Sequence, residues 1–146
     1  MYIEPAVIAR IRAHMLQVIN SERAIEHAQP VELDDLANRV AELHATEMAK
    51  HKFIAHWNTV GEKPYHRYAR EGGVDHVGEN VASCSAEGSS RTTPSEKQLL
   101  DLVLNMHGQF MAEKPPHDGH RKQVLNPWHT HVGLGIAVGV YRAALS

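Results

Sequence analysis

Residues 76–84 read His76-Val77-Gly78-Glu79-Asn80-Val81-Ala82-Ser83-Cys84, and their two-residue alternation predicts a β-strand. In that register Val77, Glu79, Val81 and Ser83 share one face, while Gly78, Asn80, Ala82 and Cys84 share the other. Setting a carboxylate between two valines costs free energy unless a cation or several hydrogen-bond donors meet it. Glu79 is therefore a candidate functional residue; the plainer alternative is a solvent-facing strand end or a structural turn cap. Residues 131–141 alternate as well. Val132, Leu134, Ile136, Val138 and Val140 line one side, and Gly133, Gly135, Ala137 and Gly139 line the other. A strand with one nearly bare face lets a helix or another backbone approach closely on that side.

Helical patterns surround these two strands. Pro5 suits a helix start, and Val7, Ile8, Ile11, Met15, Val18 and Ile19 follow at three- and four-residue steps. Asp34 or Asp35 opens a second helix that carries Leu36, Val40, Leu43 and Met48. Pro64 opens a short helix closed by Gly72-Gly73. After a Ser/Gly-rich loop over residues 85–92, Thr93-Pro94-Ser95-Glu96 reads as a capping box with Thr93 as N-cap. Leu99, Leu100, Val103, Leu104, His107, Phe110 and Met111 continue that helix until Pro115-Pro116 ends it. A helical turn over residues 119–125 stops at Asn126-Pro127. Helices around strands that are themselves separated by a helix predict an α+β chain or a layered α/β/α sandwich.

A chain of 146 residues fits one compact domain, here residues 1–146. Fifteen Lys and Arg against 17 Asp and Glu leave a net charge of −2. That balance supplies no broad basic field, so no nucleic-acid partner is expected. No apolar run approaches the ~20 residues of a membrane helix, so no membrane span is expected either. The single cysteine, Cys84, excludes an intrachain disulfide and a cysteine-based zinc ribbon. The first fifteen residues lack a signal-peptide pattern, since Glu4 and Pro5 come early and Arg10 and Arg12 interrupt the apolar run. Either the protein is intracellular or a leader has been removed from it. Twelve histidines invite a metal or acid–base reading.

Several patterns fail on context. Gly133-Leu134-Gly135 with Gly139 lies inside a strand with no following helix, so it does not read as a phosphate loop. There is no His-Glu-x-x-His helix and no Gly-x-Ser-x-Gly elbow. Cys84, among Ala82, Ser83 and Ser85, shows no activating neighbours and reads as a packed residue. Glu113, His117 and His120 flank a proline-forced turn that can bring Glu113 and His120 together, although a solvated polar loop has the same composition. His56, between Ile54 and Trp57, reads by itself as a packed, hydrogen-bonded histidine.

Taken in order, six segments share a pattern. They are Asn20 and Arg23; the helix of Leu36, Ala37, Val40, His44 and Met48 leading to His56; Gly78-Glu79-Asn80-Val81; Phe110-Met111-Ala112-Glu113; Gly119-His120-Arg121; and His131-Val132-Gly133-Leu134-Gly135-Ile136-Ala137. Together they resemble the CAP superfamily, the SCP-like domains related to cysteine-rich secretory and pathogenesis-related proteins, in its compact bacterial form. The Gly-Glu-Asn strand is the most specific piece. The resemblance implies a three-layer α-β-α sandwich with a cleft holding two histidines and two glutamates: His56, Glu79, Glu113 and His120. It also implies a divalent metal, often zinc, on His56 and His120, and an extracellular, secreted protein. Three departures stand out. Phe110-Met111 replaces the family's frequent Trp-Tyr, Cys84 stands alone where many members are disulfide-rich, and Gly-His-Arg replaces Gly-His-Phe. His129 and His131 compete with His120 for the second imidazole, and the motif context favours His120.

Two functions are consistent with that resemblance. In the first, a secreted binding module holds a divalent metal loosely or takes a small molecule, lipid or peptide in its cleft without turnover. In the second, zinc acidifies a bound water and Glu79 or Glu113 serves as general base in a peptidase or esterase. A catalytic zinc usually has three protein ligands, and two histidines fall short of that. A third outcome is a purely structural set of Glu–His pairs.

Overall fold

Local rules place the helix starts in a computed structural model that describes residues 2–84 and 92–139 in full and residues 143–145 as backbone. Among these residues α1 is Pro5–Ile25, β1 Glu32–Leu33, α2 Asp35–His51, α3 Pro64–Arg70 and β2 Ala82–Cys84. Then follow α4 Glu96–Met111, α5 Gly119–Leu125, β3 His131–Val132, β4 Ile136–Val138 and β5 Ala143–Leu145. Pro5 and Pro64 each sit in the first helical turn, where a missing N–H costs nothing. Asp34 caps α2 by accepting from the Ala37 amide at 2.6 Å. The α4 start lies two residues beyond the predicted one. Ser95 accepts from the Gln98 amide at 3.2 Å, and the Gln98 side chain accepts from the Ser95 amide at 2.9 Å. This reciprocal pair makes Ser95, not Thr93, the cap.

The helices form outer layers around a thin sheet. β1 pairs with β3 in parallel, and β5 lies between β2 and β4 in an antiparallel sheet. Alternation along β4 sends its side chains to opposite layers. Ile136 joins the main core with Ile11, Met15, Leu99, Val103 and Met106 of α1 and α4, while Ala137 joins Ala45 and Met48 of α2. This is an α+β sandwich of three layers, as predicted.

Both predicted strands are shorter than their alternation suggested. Only residues 82–84 of the 76–84 stretch enter a ladder, and the Gln123 side chain of α5 lies directly against Gly78. The 131–139 stretch is broken at 133–135, because side chains of the helices take over the work of a neighbouring strand. The Leu134 amide donates to Asn38 Oδ1 at 2.9 Å and the Ile136 amide to Glu42 Oε2 at 3.1 Å. The Leu134 carbonyl accepts from Arg12 Nε at 2.6 Å. The predicted loop over 85–91 and the strand end at 140–141 lie outside the described residues.

The bare face predicted for this segment is where α2 packs. A Cβ on Gly133 would overlap the Ala37 backbone, and one on Gly135 would overlap that of Ala41. At Gly139 it would stand 2.8 Å from the Ala49 carbonyl oxygen. Ala37, Ala41, Ala45 and Ala49 form one stripe of α2. Four helical residues advance about 6 Å and two extended residues about 6.6 Å, so the two small-residue series stay nearly in step.

Gly135→Ala should therefore destabilise the protein by about 2 kcal/mol or more, since both clashing groups are backbone. Gly108→Ala, in α4 with open space around it, should stabilise by about 0.5–1 kcal/mol. Urea unfolding of the two variants checks the pair.

Candidate functional site

The charge problem posed by Glu79 has a specific solution. The Glu79 side chain reaches α3, where its carboxylate forms a close ion pair with Arg67, and it also accepts from His56 Nδ1 at 3.0 Å. Arg67 is only 3% exposed and also donates to the carbonyls of His56, at 2.9 Å, and Glu62, at 3.0 Å. Arg67 thus holds both members of the His56–Glu79 pair. The cost of a carboxylate beside valines predicted a cation; nothing in the cation-rich stretch 63–70 distinguishes Arg67 as that cation.

The segment carrying His56 is fixed from both sides. The buried His44 donates Nε2–H to the Ala55 carbonyl at 2.8 Å, and burial pushes its pKa below the ordinary histidine value. Buried Asn58 closes the following turn, accepting from the Glu62 amide at 2.8 Å and donating to the Glu62 carboxylate at 2.7 Å.

The second pair is assembled by the turn after α4. Glu113 accepts from His120 Nδ1 at 2.5 Å and, through its other oxygen, from the amides of His120 at 2.9 Å and Arg121 at 3.3 Å. The imidazole hydrogen bond first, then the backbone N–H groups, hold its carboxyl below the usual range. Phe110 stacks on the His120 ring at 4.6 Å and 20°. Asn80, the next residue after Glu79, donates to the His120 carbonyl at 2.9 Å. Two consecutive residues, Glu79 and Asn80, therefore tie the two pairs together.

His56, Glu79, Glu113 and His120 all line one open hollow of about 370 Å³, with Asn80, His117, Gly119 and Gln123. His129 and His131 do not; they line an adjoining, partly enclosed cavity of about 200 Å³ together with Ile19, Val31, Val40 and Leu134, and Glu79, Asn80 and Gln123 line both spaces. Asn20 and Arg23 act as pins. Asn20 exchanges hydrogen bonds with the backbone of Val31 at 2.9 and 2.8 Å. Arg23, 1% exposed, donates to the carbonyls of Gln29, Val124, Asn126 and His129. Those bonds fix the end of α5 and so the helix bearing His120. Cys84 is half-buried, and burial raises its thiol pKa, which suits a packed residue rather than a nucleophile.

The donor set suits a loosely held divalent cation. Each imidazole gives Nδ1–H to a carboxylate, which leaves Nε2 as the ligating nitrogen, the usual second-sphere arrangement of a metal-binding histidine. Among the described residues no three His, Cys, Asp or Glu side chains converge on one metal position. No helix among them is long and apolar enough to cross a membrane.

Residues 16–142 match the model of the CAP family, described as the cysteine-rich secretory protein family. The chain is similar to the Bacillus subtilis protein YkwD, with 23% identity over 133 residues that cover 90% of this chain and 44% of that protein. It therefore spans less than half the length of that relative. Two solved structures share the fold. One is an extracellular protein containing a SCP domain from Bacillus anthracis, with a TM-score of 0.63, 21% identity, and coverage of 91% of this chain and 38% of that one. The other is an outer surface protein from Borrelia burgdorferi, with a TM-score of 0.61, 16% identity, and coverage of 93% and 90%.

The electrostatics of these groups can be tested directly. Arg67→Met leaves the Glu79 carboxylate, itself 9% exposed, without its cation and should cost about 3 kcal/mol, with part regained in the Arg67→Met, Glu79→Gln double variant. Burial, with Arg23 and His76 nearby, also lowers the pKa of His129. Folded His44 and His129 bind protons less readily than the unfolded chain, so stability should fall as pH drops below about 6.5. Glu113, with its lowered pKa, should contribute stability that is lost only below about pH 4. Melting temperatures measured from pH 7.5 to 3 should show both steps, and His129→Gln should flatten the first.

Proposed function

Because this chain belongs to the CAP family, we propose that it is an extracellular binding protein whose hollow holds a divalent cation, zinc foremost, and captures a ligand without turning it over. The observation that carries this reading is the pair of imidazole–carboxylate bonds, 3.0 Å at His56 and 2.5 Å at His120, whose four side chains line one hollow. His56 and His120 would hold the cation through Nε2. When bound, such an ion supplies Lewis acidity and a fixed positive charge for an oxygen-bearing ligand. The extracellular assignment draws on the Bacillus anthracis and Borrelia burgdorferi proteins, described as extracellular and outer-surface.

The carboxylates favour binding over hydrolysis. Glu79 is occupied by Arg67 and His56, and Glu113 by His120 and two backbone amides. Both are committed to holding imidazoles in place, which is orienting rather than general-base work. Calorimetric titration with zinc at pH 7.5 should show weak, saturable uptake. His56→Ala and His120→Ala should each weaken uptake by roughly ten-fold or more. Uptake unchanged in both variants would overturn the metal assignment, and zinc-dependent cleavage of peptide or ester substrates would overturn the absence of turnover.

A further inference from the structure

We propose that the partly enclosed cavity adjoining the hollow is a second binding site, which takes a small neutral molecule of one ring and one hydroxyl group, such as a phenol. The cavity measures about 200 Å³. Close-packed interiors leave few voids larger than a water molecule, and an apolar cavity of about 150 Å³ holds one benzene. Space of this size suits a single ring with a short substituent and is too small for a long acyl chain. Its floor is apolar, since Ile19, Val31, Val40, Phe110 and Leu134 line it and are all buried. Phe110 gives that floor an aromatic surface, against which another ring packs well. Occupancy of this space does not depend on a cation in the hollow.

The walls are pinned at the backbone by side chains of α1 and α2. Asn20 exchanges hydrogen bonds with both backbone groups of Val31. Arg23 donates to the carbonyls of Val124 and His129, and Asn38 and Arg12 hold the amide and carbonyl of Leu134. Val31, Val124, His129 and Leu134 all line the cavity. Walls tied in this way do not slide together to fill the space, and small-molecule sites are typically preformed. Lining residues that are exposed mark the mouth: these are His76 and His131, while Tyr68 and His129 are half-buried. Neutral imidazole and the tyrosine hydroxyl each offer a donor and an acceptor, so a ligand hydroxyl finds partners among them. The lining's guanidinium and carboxylate are already matched within the protein, Arg23 by four carbonyls and Glu79 by Arg67 and His56. Burial, and then Asp34 and Asp75, raise the Tyr68 pKa, so negative charge lies near the mouth and favours a neutral head over a carboxylate.

NMR titration with phenol and p-cresol tests the assignment, in EDTA so that no cation in the hollow contributes. Toluene, benzoate and dodecanoate serve as competing classes. p-Cresol should bind saturably and more tightly than any of the three, and should shift the methyl resonances of Val31, Val40 and Leu134. Val40→Phe places a ring in the wall and should weaken p-cresol by roughly ten-fold or more, with a cooperative melt showing that the variant is folded. Val40→Met fills less of the space and should cost roughly three-fold; it carries the test if Val40→Phe does not fold. Absence of binding by both phenols, equal or tighter binding of a competing class, or wild-type affinity in the folded filled variant would overturn the assignment.

Discussion

The close approach of α2 to the 133–139 segment governs this molecule. A helix can lie against extended chain at backbone distance only where both contribute almost no side chain. Here Ala37, Ala41, Ala45 and Ala49 meet Gly133, Gly135, Ala137 and Gly139. The helix comes near enough for its own polar side chains to replace a missing strand. Asn38 and Glu42 accept from the Leu134 and Ile136 amides, and Arg12 donates to the Leu134 carbonyl from the other layer. The sheet is narrow for this reason, and its unpaired backbone is satisfied by side chains. Because α2 also packs on α3, the same contact sets where Arg67 stands relative to Glu79.

The two imidazole–carboxylate pairs are alike in chemistry and unlike in support. Glu79 is deeply placed and met by a buried guanidinium, so its charge is balanced inside the protein. Glu113 is more open and relies on its imidazole and on backbone N–H groups at the start of α5. One pair belongs to the layer of α2 and α3 and the other to that of α4 and α5. Residues 79 and 80, neighbours in one stretch of chain, connect them. Arg23 serves the same assembly from a distance, through four carbonyls that fix the end of α5.

Two spaces flank the Gly78–Asn80 stretch, and they differ in chemistry. The open hollow is lined by imidazole, carboxylate and amide side chains, while the partly enclosed cavity has walls of Ile19, Val31, Val40 and Leu134. Burial around that cavity keeps His129 neutral over a wider pH range than a free histidine. His120 and His129 are only nine positions apart in the chain, yet they serve different environments. The cause is Asn126-Pro127, which ends α5 and redirects the chain between them.

Neighbouring letters of the chain suffice to specify the helix starts at Pro5, Asp34 and Pro64, the apolar stripes of α1 and α4, the bare face of the last strand, and the need of Glu79 for a cation. These are short-range properties: caps, fixed φ angles and repeat periods act over a few residues, so their signal lies in adjacent positions. Packing in three dimensions selects Arg67 as the cation, replaces strand pairing by side-chain bonding at Leu134 and Ile136, and turns His129 and His131 to a different space from His120. Those outcomes depend on partners far apart in the chain, such as Asn38 with Leu134 across 96 positions. Local pattern carries no record of such pairings; they are settled when packed layers compete for the same backbone groups.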